Sequence, residues 1–192
     1  REGKTTVAVN LAITMAQTGL NTLLVDADLR KPIIHRIFGI EREPGLTEVI
    51  LGNHRWSEVV RTITDIMMGK MPMEELLATP GIDNLNIITA GKIPPNPSEL
   101  LSSKRFMEFV AQVRDSYDIV FLLHRSFTRT FLCYLAGIKQ RVGYAYPKRA
   151  FLLTHRIPVV NKDSLHKQDY YLKVVEDYGI PFENKNLSLI HI

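Results

Sequence analysis

Cysteine is nearly missing from these 192 residues; Cys133 stands alone. A disulfide framework and a cysteine-based metal site are thereby excluded. No uninterrupted apolar run is long enough to span a membrane by itself, and no signal-peptide pattern opens the chain. The six histidines show none of the H-E-x-x-H type spacings that hold zinc. Internal repeats and low-complexity segments are lacking as well. What is present is ordinary: 45% hydrophobic and 23% charged residues. That composition excludes a disordered chain, a collagen and a coiled coil, and leaves a soluble globular protein.

The charge is not evenly spread. Residues 1–118 carry 13 Lys+Arg against 15 Asp+Glu, while residues 119–192 carry 11 against 5. A contrast of this kind points either to a basic tail that binds nucleic acid or membrane, or to two segments of different origin.

Hydrophobic periodicity predicts a helix over about residues 5–18, stopped by Gly19. The run Asn21-Thr22-Leu23-Leu24-Val25-Asp26 predicts a buried parallel strand whose carboxylate end faces a site. A short helix is expected over 33–38, and a helical turn between Gly45 and Gly52. Residues 57–62 read as helical or extended, and the Met-rich stretch 67–79 is ambiguous. A second strand follows at 85–90, then a proline-rich loop, and Pro97 opens a helix through about Asp115. Further expectations are a strand at 118–123, a helix at 127–135, a strand at 141–146, a turn at 147–149, extended chain at 151–154 and a last helix over about 164–178. Strands alternating with helices specify α/β layers on a parallel sheet.

Gly3-Lys4-Thr5-Thr6 at the head of the first helix has the form of the end of a P-loop. Backbone N–H groups at such a helix start attract phosphate oxygens. Lys4 would reach the β- and γ-phosphates, and the Thr5 hydroxyl would ligate Mg²⁺. The first glycine of G-x-x-x-x-G-K-[ST] and the strand before it are not in the chain, and their lack predicts weak stability. The second element is Val25-Asp26-Ala27-Asp28-Leu29-Arg30-Lys31-Pro32, one helix later. Two carboxylates leaving a buried strand suit one metal partner and one proton acceptor, with Arg30 and Lys31 adding positive charge near the phosphates. Asp26 and Asp28 are the candidate catalytic groups. Thr5 and Asp26 are the candidate metal ligands. Gly3, Lys4, Thr5, Thr6 and Arg30 are the candidate nucleotide-binding residues.

These two blocks, together with Gly45-Leu46-Thr47-Glu48-Val49-Ile50 and Ala90-Gly91-Lys92-Ile93-Pro94-Pro95-Asn96-Pro97-Ser98-Glu99-Leu100-Leu101, resemble the bacterial tyrosine kinases of capsule and exopolysaccharide synthesis, the CpsD/CapB-like P-loop ATPases. The resemblance covers residues 1–118. It implies a P-loop NTPase-like three-layer parallel sheet, here lacking its first strand. It also implies ATP and Mg²⁺ as cofactors, autophosphorylation on tyrosine and control of polysaccharide chain length. The implied partner is a membrane adaptor of polysaccharide export, with self-association, at the cytoplasmic side of the inner membrane. In that family a Walker B strand ends in Asp; here Leu123 takes the position, which predicts impaired metal binding.

From Tyr117-Asp118-Ile119-Val120 onward the chain resembles lipopolysaccharide heptosyltransferases of glycosyltransferase family 9, through Ser126-Phe127, Leu135–Tyr144, Phe151–Pro158 and His166–Leu172. The expectation is a Rossmann-like α/β fragment over 119–192, with 187–192 non-native, joined to the first segment as a chimera. A segment of this size lacks most of a transferase, so no heptosyl transfer is expected. The basic residues Lys139, Arg141, Lys148, Arg149 and Arg156 come without an aromatic platform, helix-turn-helix or zinc pattern. Nucleic acid is therefore not an expected partner, and a surface for anionic sugar or lipid phosphates fits. Tyr144, Tyr146, Tyr170, Tyr171 and Tyr178 read as strand and helix residues rather than a phosphorylated cluster, and Cys133 as a buried inert thiol. An inactive nucleotide-binding-like module is the remaining reading.

Overall fold

The computed structural model describes residues 4–62, 65, 81–117, 119–121, 127–160, 173, 174 and 176–179. The chain divides into two compact units. One is built on Val9–Phe109; the other combines the first turn of the first helix with the described residues between Val110 and Gly179.

Helix α1 runs Lys4–Gln17. Its alanines, leucine and methionine are good helix formers. It ends as the sequence predicts: Gly19 takes φ +84°, its N–H donates to Ala16 O (2.9 Å), and the Leu20 N–H donates to Met15 O (3.2 Å). That crossed pair caps the last carbonyls, and only glycine enters such a conformation without strain.

In the first unit, β1 (Thr22–Val25) pairs in parallel with β2 (Leu85–Ile88), Thr22 opposite Leu85 and Val25 opposite Ile88. Leu24, Leu85, Ile87 and Ile88 are buried, as expected of strands covered on both faces. Arg61 adds an antiparallel bridge to Ile87. Two short helices, α2 (Ile34–Phe38) and α3 (Leu46–Leu51), lie between the strands in sequence, and each is closed by a left-handed glycine, Gly39 and Gly52. The segment 57–62, open between helix and strand on sequence, begins in a 3₁₀ turn, Trp56–Glu58, and reaches the Arg61 bridge.

The single helix expected over 97–115 is two. Pro97–Leu100 forms α4 and Lys104–Arg114 forms α5. The break is at the serine pair: the Ser103 hydroxyl accepts the Phe106 N–H (3.2 Å) and caps a new helix start. A serine that bonds backbone locally ends one helix as readily as it begins the next.

The second unit holds a three-stranded sheet in the order β3 (Ile119–Phe121), β4 (Gln140–Tyr144), β5 (His155–Ile157), parallel throughout. Helix α6 (Phe127–Leu135) has the bounds read from the sequence. Val7 of α1 joins Val142, Tyr144, Ile157 and Val174 in the core of this unit. Residues 150–152 form a 3₁₀ turn rather than extended chain, and strand β5 was not anticipated. Three residues are too few to show an alternating pattern. The Met-rich stretch, Leu123, most of the last helix and 187–192 lie outside the described residues.

Candidate functional site

Asp26 follows β1 directly and is 2% exposed. Its N–H continues the ladder to Ile88 O (2.9 Å). A carboxylate this deep needs hydrogen-bond partners, and the backbone supplies them. Oδ1 accepts the Asp28 N–H (3.2 Å), and Oδ2 accepts the Ile34 N–H (3.2 Å) in the first turn of α2. Burial pushes its pKa above the ordinary 3.8, against the pull of those two N–H groups.

That shift fixes a sign. The folded state holds the Asp26 proton more tightly than the unfolded chain, so its contribution to stability is greatest in acid. It declines as pH rises from about 3.8 through the higher folded value. The stability difference between the native chain and Asp26→Asn is expected to shift against the native chain over that window. Urea titrations between about pH 3.5 and 7 would measure it, and a difference that is flat or rises with pH would refute the raised value.

Asp28 is exposed, and its Oδ1 accepts the Arg30 N–H (3.3 Å) and the Lys31 N–H (3.2 Å). Asp26 and Asp28 thus fold 26–31 into successive side-chain-closed turns, anchored by Leu29, which is buried. The Arg30 guanidinium donates to Ser98 Oγ (3.0 Å). This ties the two-aspartate segment to the first turn of α4, at the end of the proline-rich loop.

The same loop is bound to α3. The Leu46 and Thr47 N–H groups donate to Thr89 O (2.8 Å) and Ala90 O (3.0 Å), and the buried Thr47 hydroxyl donates to Ala90 O (2.9 Å). Glu48 closes the corner: Oε2 accepts the Gly45 N–H (2.7 Å) and Oε1 accepts the Lys92 N–H (3.1 Å). Three of the four sequence blocks therefore form one bonded assembly around the end of β1. In the sequence Glu48 and Ser98 stand out only as members of these blocks. The signal for Glu48 is its spacing from Gly45, the first and fourth positions of a capping box, of which only the glutamate half is made. Nothing local marks Ser98.

Lys4 and Thr5 belong to the second unit, at the start of α1; Thr5 is half-buried, Thr6 exposed, and Gly3 lies outside the described residues. The Thr5 hydroxyl and the Asp26 carboxylate are each hard oxygen donors, the type of ligand Mg²⁺ takes. Among the described residues no group of three or more His, Cys, Asp and Glu is arranged to hold a metal ion.

The basic cluster is corrected. Arg149 is 1% exposed: its Nε and Nη2 donate to Tyr144 O (3.2 and 3.1 Å) and its Nη1 to Thr130 Oγ1 (3.4 Å). Arg141 is half-buried and donates to Leu152 O and Ile138 O. Both bind backbone of their own unit, leaving Lys139, Lys148 and Arg156 exposed. Tyr144 is buried in β4, and burial pushes the Cys133 thiol up to about 11, in keeping with an inert group.

Comparison with known proteins adds the following. The family model of the CobQ/CobB/MinD/ParA nucleotide binding domain, CbiA, matches residues 2–147. The tyrosine-protein kinase YwqD of Bacillus subtilis (strain 168) is 41% identical over 119 residues, 62% of this chain and 43% of that protein. The tyrosine-protein kinase wzc of Salmonella typhimurium is 36% identical over 120 residues, 62% of this chain and 14% of that protein. The chain thus spans less than half the length of these relatives. The kinase domain of Escherichia coli tyrosine kinase ETK superposes at a TM-score of 0.55 with 23% identity, over 94% of this chain and 60% of that one. The chimerical protein CapA2B2 gives 0.54 and 24%, over 93% and 66%. Both show the fold. With three quarters of its residues inside the family match, the chain belongs to the CobQ/CobB/MinD/ParA nucleotide-binding family.

Proposed function

We propose that this chain is the nucleotide-binding part of a bacterial tyrosine kinase of capsule and exopolysaccharide synthesis. The supporting observation is the bonded assembly of 26–32, 45–50 and 90–98 around the buried Asp26, in a chain related to named tyrosine kinases. Lys4, with Gly3 and the first N–H groups of α1, binds the phosphates, and Arg30 adds positive charge beside them. Thr5 and an aspartate would hold Mg²⁺, which supplies charge neutralisation on the transferred phosphoryl group.

The buried hydrogen bonds of Asp26 make it the organiser of the turn. The exposed Asp28 is the carboxylate free to meet an acceptor. The tyrosine oxygen bonds to the γ-phosphorus as the bond to ADP breaks, and the phenolic proton passes to that carboxylate. A membrane adaptor is the proposed partner and a peripheral position at the inner membrane the proposed location; no helix among the described residues is long and apolar enough to cross a membrane.

Incubation with Mg·ATP followed by phosphotyrosine detection tests the reading. Phosphotyrosine is expected, reduced by about a hundredfold or more in Asp28→Asn. No phosphotyrosine in the starting chain would overturn the activity.

A second reading concerns 119–192, as a heptosyltransferase-type segment joined near Tyr117–Val120. Its support is that YwqD and wzc match over only 119 and 120 residues, although the family match runs on to residue 147. Amplification of the source DNA across codons 110–130 tests the join. One continuous product from a clonal source would overturn an assembly error.

A further inference from the structure

Helix α6 carries apolar residues on both sides. Thr130, Leu132, Cys133 and, just beyond the helix, Ala136 face the core of their unit. The outward side presents Phe127 (42% exposed), Phe131 (36%), Tyr134 (49%) and Leu135 (51%), where an ordinary surface helix carries polar residues. These positions recur at i, i+4, i+7 and i+8, so they form one stripe. The stripe extends beyond the helix. The Phe127 and Phe131 rings stack at 5.7 Å, and Phe151, 65% exposed, meets Phe127 at 6.4 Å. A contiguous aromatic patch left in water marks an interaction surface.

The charge of the segment that carries it selects the occupant. Residues 119–160 contain seven Lys+Arg and no Asp or Glu. Lys139, Lys148 and Arg156 are exposed, and the Arg141 guanidinium lies over the Tyr134 ring at 5.4 Å. Two copies meeting through this surface would bring like charges together. An anionic surface is complementary to so basic a segment, and exposed aromatic rings with a guanidinium at one of them suit the headgroup layer of a bilayer.

We propose that the α6 face, with Phe151, docks this unit onto an anionic membrane surface. The inference deepens the proposed peripheral location and rests on that part of the reading, but it uses none of the nucleotide-site residues, so binding to vesicles and phosphotyrosine formation fail independently. Its test is co-sedimentation of the 192-residue chain with vesicles of phosphatidylcholine, with and without about three-tenths phosphatidylglycerol. Partitioning is expected to be about tenfold or more stronger on the anionic vesicles and to weaken steeply with salt.

Phe127→Ser with Phe151→Ser is expected to lower partitioning by about tenfold. Lys139→Glu with Lys148→Glu is expected to lower it as much, on anionic vesicles only. The charge pair keeps the test decisive if the serine pair fails to fold. Three results would overturn the proposal: no sedimentation, equal binding to both vesicle types, or a dimer in light scattering that the serine pair disperses.

Discussion

Gly45→Ala is expected to destabilise the chain by about 3–5 kcal/mol, lowering the melting temperature by about 10 °C. The cause is steric. Gly45 has φ −153°, an extended conformation open to any residue. A Cβ there would lie 2.4 Å from Gly91 N and 2.4 Å from Thr89 O, both backbone atoms. No side-chain rotation relieves such a contact, so the two segments must separate. Separation breaks the bonds of Leu46 and Thr47 to Thr89 and Ala90 and pulls Glu48 from the Lys92 N–H. Gly19→Ala is the control: nothing lies within 4 Å of its added Cβ, and only the left-handed backbone resists, at about 1 kcal/mol. Urea titration of both variants measures the contrast. A Gly45→Ala loss no larger than that of Gly19→Ala would refute the close packing of the loop on α3.

Arg149→Ala is expected to cost about 3 kcal/mol or more in the other unit. The guanidinium is fully buried and bonds Tyr144 O and Thr130 Oγ1 while lying over the Tyr146 ring at 5.5 Å. Truncation leaves a buried carbonyl and a buried hydroxyl without these donors and opens a cavity in place of a large side chain. Arg149→Lys is expected to recover only part of the loss, because an ammonium cannot reproduce the planar fork. Denaturant titration reads both. Lys148→Ala, one residue earlier and exposed, is expected within about 0.5 kcal/mol of the native chain. Equal effects at 148 and 149 would contradict the buried placement.

The contrast between these neighbours shows where the sequence was legible. Long periodic or glycine-bounded elements were: α1 with its Gly19 stop, the buried run ending in Asp26, Gly45 to Gly52, and α6. In each, burial pattern and terminator agree. The split between α4 and α5 escaped, because apolar periodicity continues across Ser102 and Ser103 while the cap is a side-chain bond. Strand β5 escaped because His155 and Arg156 are exposed and only Ile157 is buried. Arg149 was grouped with surface cations because residue type is a poor guide when a carbonyl and a hydroxyl happen to converge on a guanidinium. At the site, the residue types were legible, but not their connections. Pairing Arg30 with Ser98, or Glu48 with Lys92, requires the fold to bring distant loops together.

The central claim is that Gly3–Thr6 and Asp26–Lys31 serve a nucleotide. Calorimetric titration of the chain with Mg·ATP, beside Lys4→Ala, tests it most directly. Saturable heat is predicted for the native chain, with affinity at least about tenfold weaker in Lys4→Ala and lost when Mg²⁺ is chelated. No heat from the native chain, or equal heat from Lys4→Ala, would contradict it and reduce the kinase likeness to ancestry.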